Sequence, residues 1–222
     1  MSFPASSSAA STKPARGRTV CAALAVLCLL AALGLAAWNV LTERRAQTAA
    51  ASALRALEPQ LAPAAPQTPD PSAAPEPEAP AVPDYILDPG RAMPVVVVDG
   101  VAYIGVLDLP TLGITLPVTG EWSYDRLKIA ACRYSGSAYL DNLVVMAHNY
   151  PAFFKNLGDL SPGDAVRFTD ADGNVFDYEV SDFEQLRAAQ TGAMTTGDWS
   201  LTLFTCTPGG RLRLAVRCAR TP

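Results

Sequence analysis

Val95-Val-Val-Val98, Asp99-Gly100 and Val101-Ala-Tyr-Ile-Gly-Val-Leu107 follow one another without interruption. β-Branched and aromatic residues on both sides of an Asp-Gly pair form the pattern of a strand, a tight turn and a second strand. The pattern continues downstream. Pro110 to Gly113 punctuates, and Ile114–Val118 reads as another short strand. Ser123 is placed to cap a short helix through Asp125, Arg126 and Leu127. Leu143–Met146 reads as a buried strand ending at His148, followed by Pro151–Lys155 as a short helix whose phenylalanines pack in the core. Ala165–Thr169 alternates, Asp172-Gly173 turns the chain, and Val175–Val180 returns. Leu201–Cys206 and Arg211–Arg217 are two more strands, joined by Thr207-Pro-Gly-Gly210. Seven or eight short strands at regular spacing, with one or two short helices, make an all-β fold closed or nearly closed into a barrel.

Upstream the composition changes twice. Residues 20 to 40 are apolar or small apart from Asn39, and Lys13, Arg16 and Arg18 precede them with no acidic residue among them. About 21 helical residues at about 1.5 Å each span roughly 30 Å, the thickness of a hydrocarbon core. The run exceeds the apolar core of a cleaved signal peptide, while small-residue sites such as Ala46-Gln47-Thr48-Ala49 leave cleavage as the alternative. The basic flank places the N-terminus in the cytoplasm and the remainder outside. From about Ala46 to Asp84 the chain is mostly Ala, Pro, Gln and Glu, with prolines from Pro59 to Pro83. Ala46–Leu61 is Ala-rich enough to extend the membrane helix; after Pro63 an extended tether is expected. The expected organisation is a cytoplasmic tail over residues 1–19, a transmembrane signal-anchor over 20–41, an Ala/Pro-rich linker over 42–84 and a folded domain over 85–222.

The net charge is -4 with a pI near 5.0, and no basic stripe interleaved with aromatics occurs. Nucleic acid is therefore not an expected partner. A single histidine does not supply the usual set of imidazole ligands, and no phosphate-cradling glycine loop precedes a helix, so neither metal nor cofactor is expected. Cys21 and Cys28 fall in the apolar run. Cys132, Cys206 and Cys218 leave at least one thiol outside it free or paired with another molecule; pairing Cys132 with Cys218 would leave Cys206.

Two chemistry-bearing residues end strands, where a barrel exposes side chains at its mouth: His148 and Cys206. Together they supply a nucleophile and a general acid or base, and nearby positive charge favours the reactive thiolate. Side chains alternate along a strand, so Arg211, Arg213, Ala215 and Arg217 share one face, and Leu212, Leu214, Val216 and Cys218 the other. Pairing through the turn at 207–210 sets one arginine beside Cys206, where guanidinium donors stabilise a tetrahedral oxyanion. Each residue also has a purely structural account: a buried cysteine, a packed histidine, a solvated arginine face.

Thr202-Leu203-Phe204-Thr205-Cys206 resembles the Thr-Leu-x-Thr-Cys signature of the sortase family. Asn142-Leu-Val-Val-Met-Ala-His148-Asn-Tyr resembles its histidine segment, and Arg213-Leu-Ala-Val-Arg-Cys218 its arginine segment. The three occur in the family's order, the similarity covers about Tyr103 to Arg220, and the anchor and linker match a class B-like or related single-anchor member. The resemblance implies an eight-stranded closed β-barrel and a cysteine transpeptidase that cuts a Leu-Pro-x-Thr-Gly-like sorting motif near the C-terminus of secreted proteins. It implies Cys206 as nucleophile, His148 as proton carrier and Arg213 as oxyanion and substrate contact, with Thr205 as a further hydroxyl. It also implies a peptidoglycan-precursor amine as acceptor, a Gram-positive cell wall as destination and a catalytic domain outside the cell membrane.

The chain departs from the family in three places. The connection from Cys206 to Arg213 is nearly reduced to a turn, Arg211 competes with Arg213 for the same face, and Ala147 and Cys218 stand where many relatives carry glycine. Cys218 would put a second thiol near a strand end. The stretch from Phe183 to Trp199, with Gln185, Gln190 and Thr191, corresponds to a wall of the substrate groove in relatives, or is an ordinary surface loop. The Asp170–Asp172 pair reads as a hairpin turn rather than a calcium site. Pilin polymerisation, with lysine as the amine, is the alternative within the fold. It commonly goes with a second C-terminal membrane helix, and no second apolar run precedes Pro222, which favours wall attachment. A non-catalytic exported barrel that binds peptides is the alternative outside enzymology, and hydrolysis competes wherever water replaces the amine.

Overall fold

The computed structural model describes residues 15–61 and 82–222. The chain divides between Thr42 and Glu43 into two compact units. In the second, nine strands form one sheet: β1 (Val96–Val98), β2 (Val101–Leu109), β3 (Ile114–Thr119), β4 (Ala131–Ser135), β5 (Leu143–Met146), β6 (Ala165–Asp170), β7 (Val175–Arg187), β8 (Leu201–Cys206) and β9 (Leu212–Arg220). The order is β1-β2-β3-β4-β5-β8-β9-β7-β6, and β6 pairs back onto β2. Strands β2 to β9 thus close an eight-stranded barrel, and β1 is a three-residue strand on the start of β2. Closure depends on Gly105. Its φ is +153°, and a Cβ there would collide with the Thr169 backbone carbonyl of β6.

Inward-facing positions supply the core: Ile104, Leu107, Val118, Leu143, Val145, Phe168, Phe176, Leu201, Leu203 and Val216 are all buried in one cluster. Asp170 is fully buried at the end of β6 and organises the next turn. Its carboxylate accepts from the Asp172 and Asn174 amides at 2.9 and 2.8 Å, from Asn174 Nδ2 at 2.9 Å and from the Tyr139 hydroxyl at 2.6 Å. These bonds hold the hairpin turn anticipated at Asp170–Asp172 and compensate the burial of the carboxylate.

Helix α1 runs from Ala15 to Leu61. From Thr19 it holds an apolar window, unburied, that is long enough to cross a membrane. Leu24, Leu30, Leu35 and Trp38 are all more than half exposed there. Past Glu43 the same helix belongs to the barrel's unit, and Ala46, Ala50, Ala53 and Leu57 are buried. Spacings of four, three and four residues put them on one helical face. Ala53 and Leu57 pack with Tyr103 and Ala130. The head of the stretch expected to be a linker is therefore helical and packed, while its proline-rich part from Pro63 to Pro80 lies outside the described residues. A short helix α2 (Asp84–Leu87) precedes the barrel.

Strand β4 lies where no strand was expected, and two expected elements differ. Strand β7 runs on to Arg187 instead of ending near Val180, because a bulge between Val180 and Asp182 breaks the alternation that marks a strand. The connection to β8 therefore begins at Ala188 rather than near Phe183. Pro151–Lys155 forms turns, not a helix, although Phe153 and Phe154 are buried in the core as expected. Helix α3 (Tyr124–Leu127) is capped by the Ser123 hydroxyl, which accepts from the Arg126 amide at 3.1 Å.

Candidate active site

Strands β8 and β9 pair antiparallel with Cys206 opposite Arg213, Phe204 opposite Ala215 and Thr202 opposite Arg217. Directly opposed residues share a face of the sheet. This face turns away from the core, since Leu201, Leu203 and Val216 occupy the inward one. Arg211 precedes β9 and is exposed, so register brings Arg213 and not Arg211 to the cysteine. The turn between the strands is tight because Gly209 and Gly210 both adopt positive φ, 80° and 71°. The Thr207 hydroxyl closes it, accepting from the Leu212 amide at 3.2 Å.

On the other side β8 runs parallel to β5, with Met146 opposite Phe204. One step further the Ala147 amide donates to the Phe204 carbonyl at 3.3 Å, and the Thr205 hydroxyl donates to the Ala147 carbonyl at 2.9 Å. Two residues beyond each member of the Met146–Phe204 pair stand His148 and Cys206. Both line a groove of about 300 Å³, together with Thr205 and Arg213. Thr205 is buried, and its one proton goes to the peptide before His148. The hydroxyl expected to face a substrate serves in this structure as a tie between the cysteine strand and the histidine strand.

His148 is half-buried, with its ring 4.8 Å from that of Tyr150 at 33° between planes. Burial lowers its pKa below the ordinary imidazole value, and the positive charge of Lys128 lowers it further. Arg213 is half-buried, and its Nη1 donates to the Gly210 and Leu212 carbonyls at 3.0 and 3.1 Å. The turn thus aims the guanidinium. Aromatic rings extend the groove: Tyr134 meets Phe204 edge-on at 5.3 Å, and Trp122 lies 6.2 Å from Tyr134. Of the long connection after β7, Ala188 and Met194 line the groove. Gln190 instead accepts from the Arg187 amide at 2.9 Å, and Gln185 is exposed within β7.

The other two cysteines of this unit are free and fully buried, so the disulfide considered for them is not formed. Cys218 faces the core opposite Leu201, at the far end of β8 from Cys206. Burial pushes its pKa up to about 12. Burial raises that of Cys132 as well. Of the three, Cys206 alone lines the groove. Another hollow, of about 490 Å³ and lined by Leu54, Glu58, Leu61, Val106, Thr115 and Thr169, contains no cysteine and no histidine.

Lys128, Trp122, Tyr134 and Arg217 are not legible as site residues from the sequence, where nothing ties them to His148 or Cys206. Only the alternation that groups Arg217 with Arg213 hints at its place.

The sortase domain family model matches residues 107–221. No curated protein matches the chain. Among solved structures the chain is similar to sortase A from Corynebacterium diphtheriae, at 24% identity and a TM-score of 0.50 over 55% of this chain. It is also similar to sortase C from Clostridium perfringens SM101, at 25% identity and a TM-score of 0.47 over 54% of this chain and 70% of that one. Sortase C of Streptococcus pneumoniae aligns at 27% identity and a TM-score of 0.48 over 54% of this chain and 67% of that one. The chain spans 62% of the Corynebacterium structure. With its eight-stranded barrel, its cysteine and arginine in register and a sortase domain over more than half of its length, the chain belongs to the sortase family.

Proposed function

We propose that this protein is a membrane-anchored cysteine transpeptidase that cuts a Leu-Pro-x-Thr-Gly-like sorting signal and transfers the new acyl end to an amine. The observation that carries this reading is the pairing of Cys206 with Arg213 at the mouth of a groove that His148 also lines.

Cys206 Sγ attacks the carbonyl carbon of the motif's threonine, and its proton passes to His148. An imidazole with a lowered pKa is neutral near pH 7 and ready to accept it. The carbonyl oxygen becomes an oxyanion, which the Arg213 guanidinium stabilises at the end of β9. Collapse breaks the C–N bond, His148 returns the proton to the departing amine, and a thioester remains on Cys206. An incoming amine then attacks the thioester, loses a proton to His148 and releases the thiol. Water in its place gives hydrolysis. The acceptor is a peptidoglycan-precursor amine, and the apolar part of α1 holds the enzyme in the cell membrane with its barrel outside.

The test is mass spectrometry of the full chain in detergent, incubated with a library of Leu-Pro-x-Thr-Gly-like peptides and a mixture of glycine and lysine amines, beside Cys206→Ala. An acyl adduct and a joined product that both depend on Cys206 support the reading and name motif and acceptor. Joining to lysine amines alone moves the reading to pilin polymerisation. No adduct, together with slow alkylation of Cys206, leaves a peptide-binding barrel.

A further inference from the structure

Four residues beyond Arg213, on the same face of β9, Arg217 is only 2% exposed. Its guanidinium has five N–H donors and makes five hydrogen bonds. Nε and Nη2 reach Glu184 Oε2 of β7 at 3.3 and 2.7 Å. Nη1 reaches the Thr202 hydroxyl of β8 at 3.0 Å and the Met194 carbonyl at 3.1 Å. Nη2 also reaches the Ala193 carbonyl at 2.7 Å. No donor is left for a substrate, so this arginine does not duplicate Arg213.

Ala193 and Met194 belong to a 3-10 turn, Thr191–Thr195, inside the connection between β7 and β8. The ends of such turns leave carbonyls without partners inside the turn, and a cation helps satisfy them; the Ala193 carbonyl also accepts from the Thr196 hydroxyl at 3.1 Å. Most of the connection is exposed, including Ala188 to Gln190 and Thr195 to Asp198. Met194 is the exception, buried against Val144, Phe204 and Ala215 while it borders the groove. Besides the Gln190 side chain bonded to the Arg187 amide, the Met194 side chain and the arginine beneath it hold this wall of the groove. Glu184 supplies the countercharge for a buried cation, which is costly to leave unpaired.

We propose that Arg217, paired with Glu184, is a positioning residue that clamps the Thr191–Thr195 turn and so fixes the wall against which the acyl-donor peptide binds. The substrate part of this proposal rests on the transpeptidase reading; the clamp itself does not. Arg217→Met frees the wall without touching Cys206, His148 or Arg213. Its cost therefore falls on peptide binding, and the thiol stays as reactive as before.

The full chain in detergent is compared with Arg217→Met, Arg217→Lys and Glu184→Ala. Hydrogen exchange followed by mass spectrometry is expected to accelerate roughly tenfold or more over residues 188–199 in Arg217→Met, with β5 and β8 unchanged. Arg217→Lys, which keeps a cation with fewer donors, falls between. With the Leu-Pro-x-Thr-Gly-type peptide that serves the wild type best, KM is expected to rise about tenfold while kcat stays within about threefold. Alkylation of Cys206 by iodoacetamide is expected to keep its rate. Unchanged exchange over 188–199 overturns the proposal, and so does acceleration spread evenly over the barrel, which marks Arg217 as a support of the whole fold. A fall in kcat at constant KM overturns the binding role. If Arg217→Met does not fold, Arg217→Lys decides by the same readouts, and Glu184→Ala reports the countercharge alone, since its side chain is 43% exposed and its loss leaves the arginine in place. If no peptide reacts with the wild type, the transpeptidase reading fails and the exchange measurement still decides the clamp.

Discussion

Cys206 and Arg213 are opposite partners in the last rungs of the β8–β9 ladder, and the seven-residue step between them is closed by two glycines with positive φ. The short turn leaves little freedom in where the guanidinium sits, because its Nη1 is also bonded to the Gly210 carbonyl of that turn. Arg213→Ala is expected to lower kcat about 10²- to 10³-fold, the usual effect of losing an oxyanion donor. Arg213→Lys should recover part of this, since a point charge lacks the forked donors. Arg211→Ala, at an exposed position before the strand, should change kcat less than about twofold. Steady-state kinetics on the best peptide of the library distinguishes these outcomes.

The three thiols of the folded unit differ in access. Iodoacetamide followed by peptide mapping is expected to label Cys206 first, with Cys132 and Cys218 labelled only after unfolding, because both are fully buried and burial disfavours their thiolates. Labelling of Cys218 at the rate of Cys206 would contradict the packing of β9 against the core.

His148 is the chain's one histidine, so its imidazole titration by NMR is free of overlap. Burial and then Lys128 lower its pKa. Lys128→Ala is expected to move that pKa upward while leaving it below the ordinary value, because burial remains. The sign carries into stability. With the folded pKa below the unfolded value near 6.5, the unfolded chain binds more protons between the two. Stability is thus highest above that window and falls as pH drops through it. Lys128→Ala should shrink the loss. Denaturant melts at several pH values check this, and a loss larger in the variant would assign the shift to another cause.

Much of the barrel is legible because its strands alternate or carry buried apolar runs. Leu143–Met146, Ala165–Thr169 and Leu201–Cys206 each match an observed strand within a residue. The faces of β9 also follow from alternation alone: Arg213, Ala215 and Arg217 lie opposite Cys206, Phe204 and Thr202, while Leu214, Val216 and Cys218 turn inward. What escapes has physical causes. β4, Ala131–Ser135, mixes small, charged and polar residues and pairs parallel with β3 over only two residues, so no periodicity marks it. The end of β7 lies beyond a bulge. The docking face on α1 is mostly alanine, which carries too little apolar contrast to stand out in an Ala-rich stretch. Arg217 is indistinguishable by type from the exposed Arg211, because its burial comes from a wall contributed by a distant part of the chain.

Thr205 ties β8 to β5 through one hydrogen bond to the Ala147 carbonyl. Thr205→Val keeps the shape, removes the donor and leaves a buried carbonyl short of that partner. A loss of about 1 kcal/mol in stability is expected. If the tie also sets the spacing of His148 and Cys206, kcat falls while peptide KM holds. An equal drop for Thr205→Val and Thr205→Ser would reject the tie, since serine keeps the hydroxyl.

Leu57 is fully buried against Tyr103 and Ala130, although it lies in a stretch that composition marks as a spacer. If that contact is part of the folded unit, Leu57→Ala should cost about 2–5 kcal/mol, the range for a buried leucine. Leu54, half-buried on the same helix, should cost less. A soluble piece covering residues 43–222 should melt at a higher temperature than one covering 83–222, which lacks the helix and exposes Tyr103 and Ala130. None of the groove's lining residues comes from the helix. The shorter piece is therefore expected to keep Cys206-dependent chemistry at low temperature and lose it earlier on warming. Identical melting curves for the two pieces would show that residues 43–61 contribute no stability and restore the spacer account of that segment.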